Sequence, residues 1–171
     1  MALRVSQFLS VLLTAIAFVP GGAHALALPT KIALPEEPYF MAQQIYSGWA
    51  WIGLAIVAAI VGNMTSAILA RGQPRPFWLS VAASLLIAGT LVIFFVWTYP
   101  ANQATGNWTT VPDNWEQLRD QWEYSHAVNA LLMFVALVCS VLAAILIAAR
   151  PVVSEHAAAS SVGRRGRPAL R

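Results

Sequence analysis

Three uncharged apolar stretches, residues 46–69, 77–99 and 127–149, each run for more than 20 residues and leave this chain little choice of surroundings. At 1.5 Å of rise per residue, each is long enough as a helix to cross a hydrocarbon core about 30 Å thick. Backbone polar groups find no partner in lipid, so such stretches satisfy their own hydrogen bonds as helices. Hydrophobic residues make up 58% of the chain and charged residues 10%, and the charges are gathered between the apolar stretches. The sequence therefore predicts an all-α integral membrane protein.

A fourth apolar stretch, residues 5–28, reads in two ways. Arg4, a short apolar core and Ala23-His24-Ala25 have the layout of a secretory signal with a small-x-small cleavage site. Against that, apolar character resumes after Gly21-Gly22 through Leu26 and Leu28, so the segment can span, with Pro20 and the glycines permitting a bend. Retained, it gives a four-helix bundle over residues 1–150, with helices near 5–28, 45–70, 77–99 and 114–149. An Arg-rich disordered tail, 151–171, would follow.

Basic residues near helix ends stay on the cytoplasmic side. Arg4, Arg71, Arg75, Arg150, Arg164, Arg165, Arg167 and Arg171 all fall in the segments that this rule groups together, against one acid, Glu155. Both termini are then cytoplasmic in a multi-pass protein of the cell inner membrane. The other two loops, with Lys31, Glu36 and Glu37 in one and Asp113, Glu116, Arg119, Asp120 and Glu123 in the other, are net acidic and face outward. The net charge of +3 is thus a topology signal, with no stacking or phosphate-binding motif to suggest nucleic acid. Contact of the tail with anionic lipid would be unspecific.

A single cysteine, Cys139, excludes a thiol-disulfide oxidoreductase, a thiolate metal centre and haem attached through Cys-x-x-Cys-His. No Walker, Rossmann or metalloprotease pattern is present. Trp49, Trp51, Trp78 and Trp97 lie near the ends of apolar runs, as an interfacial belt requires. Asn63 lies well inside a span and should hydrogen-bond to another helix.

The last outer segment holds the candidate site. Asp113 followed by Glu116 reads as a capping box that starts a helix near Asn114. At 100° per residue Trp115, Leu118, Arg119, Trp122, His126, Asn129 and Met133 share one face, with Glu116 placed to pair with Arg119 and Glu123 one turn before His126. An ordinary amphipathic helix packing its tryptophans on the loops would show the same pattern. The topology, however, also brings His24 to the depth of His126, near Glu123, Asn129 and Asn102. Imidazoles and a carboxylate at such a boundary can hold a divalent metal through His24, His126 and Glu123, or act as a general base. A bundle di-iron site would need two Glu-x-x-His pairs, and the chain has one. The third histidine, His156, falls in the tail.

Ala23-His24 with Leu28-Pro29-Thr30-Lys31-Ile32, then Pro100-Ala101-Asn102, and above all Trp115-x-x-Leu118-Arg119-x-x-Trp122-x-x-x-His126 resemble a group of small four-helix membrane proteins that includes the anthrone oxygenases. The resemblance spans about residues 5–149. It implies cofactor-independent oxygenation of an aromatic or quinol-like substrate, with no metal required. His126 would be the base, Arg119 or Asn129 would stabilise an enolate oxygen, and Trp115, Trp122, Asn102 and His24 would line the substrate site. The competing reading is a non-enzymatic bundle whose outer cap binds a lipid, a quinone or a partner protein. A homo-oligomer stays open in either case.

Overall fold

The computed structural model describes residues 1–149, so the tail expected over 151–171, Arg150 and His156 lie outside the described residues. The elements are α1 (Ala2–Lys31), α2 (Glu36–Gln43), α3 (Ile52–Leu69), α4 (Pro74–Ile93), α5 (Tyr99–Ala104) and α6 (Trp115–Ala148). Two 3₁₀ turns, Gln44–Tyr46 and Trp49–Trp51, lead into α3, and a π-helical turn, Phe94–Thr98, joins α4 to α5. No strand occurs among the described residues. Four helical segments are long and apolar enough to cross a membrane: Ala2–Lys31, Trp49–Leu69, Pro74–Ala104 and Trp115–Ala148. Their bounds differ from the expected ones chiefly in the third, which continues through the π-turn to Ala104. The short helix α2, begun by Pro35 and two acids in its first turn, was not expected.

Helix α6 packs against α1 and α4, and α3 packs against the same two, which closes a ring of four. The interior holds an apolar cluster of Ala17, Ala59, Ala83, Ile87, Met133 and Ala136, but the buried stripe of α1 is mostly small and polar. On α1 the buried residues are Gln7, Ser10, Thr14, Ala17, His24 and Lys31, spaced three, four or seven apart, while Phe8, Leu12, Ile16 and Val19 are exposed. Lipid tails are as apolar as leucine, so helices in a bilayer associate through small residues and polar contacts and turn large side chains outward. Gly21 shows how tight the seam is, because a Cβ there would lie 3.4 Å from the Ala130 backbone of α6. That approach sets the separation of α1 and α6 one turn below His24.

Polar side chains tie the helices together at the Gln7 end. Gln7 Nε2 donates to the Ser140 carbonyl at 2.8 Å, Asn63 Nδ2 donates to Thr14 Oγ1 at 3.0 Å, and Ser140 Oγ donates to Asn63 Oδ1 at 2.7 Å. Asn63 thus joins α1, α3 and α6, as its position in the sequence required. Replacing Asn63 by Ala is expected to lower stability by about 1 kcal/mol, the usual worth of an interhelical hydrogen bond in a membrane bundle, measured by unfolding in detergent.

The π-turn precedes Pro100, whose ring nitrogen cannot donate inside the helix. Gln121 Nε2 of α6 donates to the Trp97 carbonyl at 2.7 Å, which satisfies an acceptor in the disturbed stretch. At the start of α6 the expected capping box does not form: the N-cap residue is Asn114, and no side chain caps the helix. Instead the Trp115 amide closes a turn on the Pro112 carbonyl at 3.0 Å. Helix α6 nevertheless runs unbroken for 34 residues, carrying the charged segment and the apolar one on a single rod.

Candidate functional site

The polar cluster lies where the end of α1, helix α2, the turn at Tyr46 and the first turns of α6 meet. Two layers can be distinguished along α1, set by His24 and Lys31, which are two turns apart on one face.

In the first layer, His24 of α1 and His126 of α6 pack at a tilt of 57° with ring centroids 4.5 Å apart. Trp122 lies 3.9 Å from His126 and 4.8 Å from His24, and Tyr46 lies 4.3 Å from His24. His126 Nδ1 is 2.9 Å from the Trp122 carbonyl. A carbonyl only accepts, so Nδ1 carries the hydrogen and the neutral ring presents Nε2 as a bare lone pair. His24 Nδ1 and Asn129 Oδ1 are buried with no hydrogen-bond partner among the described residues. Asn129 sits one turn along α6 from His126.

In the second layer, Lys31 Nζ lies 2.6 Å from Glu123 Oε1, with the two side chains 7% and 0% exposed. Tyr39 donates its hydroxyl to the same Glu123 oxygen at 3.0 Å and accepts from Gln43 Nε2 at 2.6 Å, while Lys31 also donates to Gln43 Oε1 at 3.3 Å. Glu123 Oε2 is buried and has no partner among the described residues. Burial, then the neighbouring Glu123 carboxylate, hold the Tyr39 phenol well above the ordinary tyrosine range, and the same two causes raise Tyr46. The Tyr39 phenol is accordingly the donor in its contact with Glu123.

A tryptophan clamp roofs this layer. Asn102 Oδ1 accepts from both the Trp108 and Trp122 indoles, at 3.1 and 2.8 Å. Trp108 has φ 66° and follows Gly106 and Asn107 at 55° and 57°, one left-handed turn that only the glycine adopts without strain. The Gln44 side chain holds the Trp108 carbonyl at 2.9 Å, and Thr105 Oγ1 accepts from the Trp108 amide at 3.1 Å. Asn102→Leu is expected to lower stability by about 2 kcal/mol, because two indole N–H groups lose one acceptor, and to weaken the near-ultraviolet circular dichroism of the tryptophans.

The sequence-derived candidates thus separate. His24, Trp122 and His126 come together in the first layer, and Asn129 follows one turn along α6. Asn102 spends its oxygen on two indoles and acts as a positioning residue. Arg119 lies seven residues, about 10 Å along the axis, from His126. It stacks over Trp115 at 5.0 Å, pairs with Asp120 at 3.2 Å and donates to the Leu34 carbonyl at 3.3 Å, tying α6 to the link after α1. The expected Glu116–Arg119 pair is replaced by this arrangement, since Glu116 points to solvent. Trp115 packs with Phe40 and Tyr39, away from His126.

The His24, His126 and Glu123 trio considered as a metal site is not assembled: Glu123 is committed to Lys31 and Tyr39. No group of three or more His, Cys, Asp or Glu among the described residues is placed to hold a metal ion. Trp49, assigned to the belt, also packs 6.1 Å from His24, whereas Trp51, Trp78 and Trp97 are exposed as a belt requires.

Lys31, Tyr39, Gln43 and Tyr46 went unremarked as site residues in the sequence. The one local signal was Tyr39 and Gln43 at i and i+4 beside a lone lysine at the end of an apolar run, where an ionisable group calls for a partner. A separate groove of about 660 Å³ between α1 and α3, lined by Val5, Leu9, Leu54 and Val61 among others, carries no titratable side chain. No family model, curated protein or solved structure matches this chain.

Proposed function

We propose that the chain is a multi-pass membrane enzyme of the anthrone-oxygenase-like kind, with both termini cytoplasmic and the Lys31–Glu123 end facing outward. In this reading His126 removes a proton from a ring methylene activated by a flanking aryl ketone. The carbanion passes its electrons to dioxygen; one oxygen atom stays on carbon as a carbonyl and the other leaves as water with the two methylene hydrogens. No cofactor is needed for such a substrate.

One observation carries the proposal: the Nδ1 hydrogen bond of His126 to the Trp122 carbonyl orients the ring and leaves Nε2 as the proton acceptor, against an indole wall. Asn129, one turn away, is better placed than Arg119 to meet an enolate oxygen. Apolar substrate would arrive from the bilayer, the solvent that surrounds the exposed faces of α1, α3, α4 and α6.

A second reading rests on a different observation. Tyr39, Trp122 and Glu123 are at most 4% exposed, and their rings and ion pair close on one another, as in a cap that binds a quinone, a lipid or a partner protein without turnover. The two readings separate on the His126→Ala variant. Loss of turnover of an anthrone-type ketone, in a variant that still inserts and unfolds at the wild-type midpoint, supports the enzyme. Undiminished turnover removes His126 as the base.

A further inference from the structure

The second layer has the chemistry of a cation-recognition site. Lys31 Nζ sits 4.6 Å from the centroid of Trp122, 4.7 Å from Tyr46 and 5.6 Å from Tyr39, all within the roughly 6 Å over which an aromatic face attracts a cation. Glu123 Oε1 faces it at 2.6 Å and Gln43 Oε1 at 3.3 Å. Three rings, a carboxylate and an amide oxygen thus surround one ammonium.

The walls do not depend on the lysine. They come from α2, the Tyr46 turn and α6, whereas Lys31 is the last residue of α1. Each wall has its own support: Trp122 is held by Asn102, Tyr39 by Gln43 and Glu123, and Tyr46 packs edge-on against Trp49 at 5.1 Å. The tethered lysine also leaves the cage incompletely used, because Glu123 Oε2 is buried and unpartnered among the described residues. An untethered ammonium with three N–H donors can reach both carboxylate oxygens.

We infer that Tyr39, Tyr46, Trp122, Gln43 and Glu123 form a binding site for an alkylammonium group, of which Lys31 is the tethered occupant. The inference is independent of whether His126 abstracts protons. With the lysine in place, its high effective concentration excludes free amines. With the lysine side chain removed, the site is open to the ammonium of a free amine or of an ethanolamine lipid headgroup, which share the same chemistry.

The test is rescue of Lys31→Ala. In detergent, n-butylammonium is expected to raise the unfolding midpoint of this variant saturably, by roughly 5 °C, and to leave the wild type unmoved. Butanol at the same concentration should do nothing, and Lys31→Ala with Glu123→Gln should lose the response. In nanodiscs, the variant is compared in phosphatidylethanolamine and in phosphatidylglycerol. Stabilisation by the former alone assigns the headgroup as a source, and stabilisation by butylammonium alone assigns the free amine.

No saturable shift in either arm, or an equal shift with butanol, overturns the inference. Should Lys31→Ala fail to fold, Lys31→Met replaces it, and Glu123→Gln is introduced into both backgrounds. The inference requires that Glu123→Gln lower the wild-type midpoint and raise that of Lys31→Met; equal effects in the two would overturn it.

Discussion

Replacing Glu123 by Ala is expected to lower stability by about 3–5 kcal/mol, the range found when one partner of a buried ion pair is removed. The substitution leaves the Lys31 ammonium buried with only Gln43 and three ring faces, and it deprives the Tyr39 hydroxyl of its acceptor. Most of the loss is desolvation that Glu123 no longer offsets, so the double variant Lys31→Met, Glu123→Leu should recover the larger part of it. Chemical unfolding in detergent measures both. Because the pair joins the end of α1 to α6 with α2 between, the single variant should also expose Tyr39 and the loop at Trp108 to proteolysis before the bundle itself opens. A Glu123→Ala protein as stable as the wild type would mean that the Lys31–Glu123 contact carries no weight in holding the cap.

The second large effect belongs to His126. Its replacement by Gln keeps a side chain of similar reach but removes the basic nitrogen. Turnover of an anthrone-type ketone is expected to fall by about 10²–10⁴-fold, the usual contribution of a positioned general base. Stability should change far less, because the ring's hydrogen bond among the described residues is to the Trp122 carbonyl within its own helix. His24→Gln should be milder for turnover, since this ring touches His126 without replacing its lone pair. The difference between the two histidines, read in one oxygen-uptake assay, distinguishes a base from a wall of the site.

Much of the frame is written locally in the sequence. An uncharged run longer than the hydrocarbon thickness has few folding options, so the four spans can be read from residues 5–28, 46–69, 77–99 and 127–149, with errors at the ends. Those errors have physical causes. The third helix was expected to end at residue 99, but the π-turn and Gln121 let the chain continue through Pro100 to Ala104. Asp113 looked like a cap, but the Pro112 carbonyl takes the Trp115 amide and the helix starts one residue after Asn114.

The His24–His126 meeting was also legible, because membrane depth restricts where two helices can bring residues together. Lys31 and Glu123 were harder. They are 92 positions apart (123 minus 31), and helical phase assigned Glu123 to the flank of its face without saying which helix lies there. What brings the pair together is α2, a short element that no periodicity announced, whose Tyr39 and Gln43 bond to Glu123 and Lys31 respectively. Arg119 illustrates the converse: its shared face with His126 was correct in angle, yet two turns of axial distance separate their chemistry.

The most direct measurement is oxygen uptake by the detergent-purified protein given an anthrone-type ketone. One dioxygen should be consumed per ketone converted to the corresponding quinone carbonyl, without added metal or cofactor, and the rate should fall at least 100-fold in folded His126→Gln. Either no uptake by well-folded wild type across such ketones, or an undiminished rate in His126→Gln, would contradict the assignment of His126 as the base.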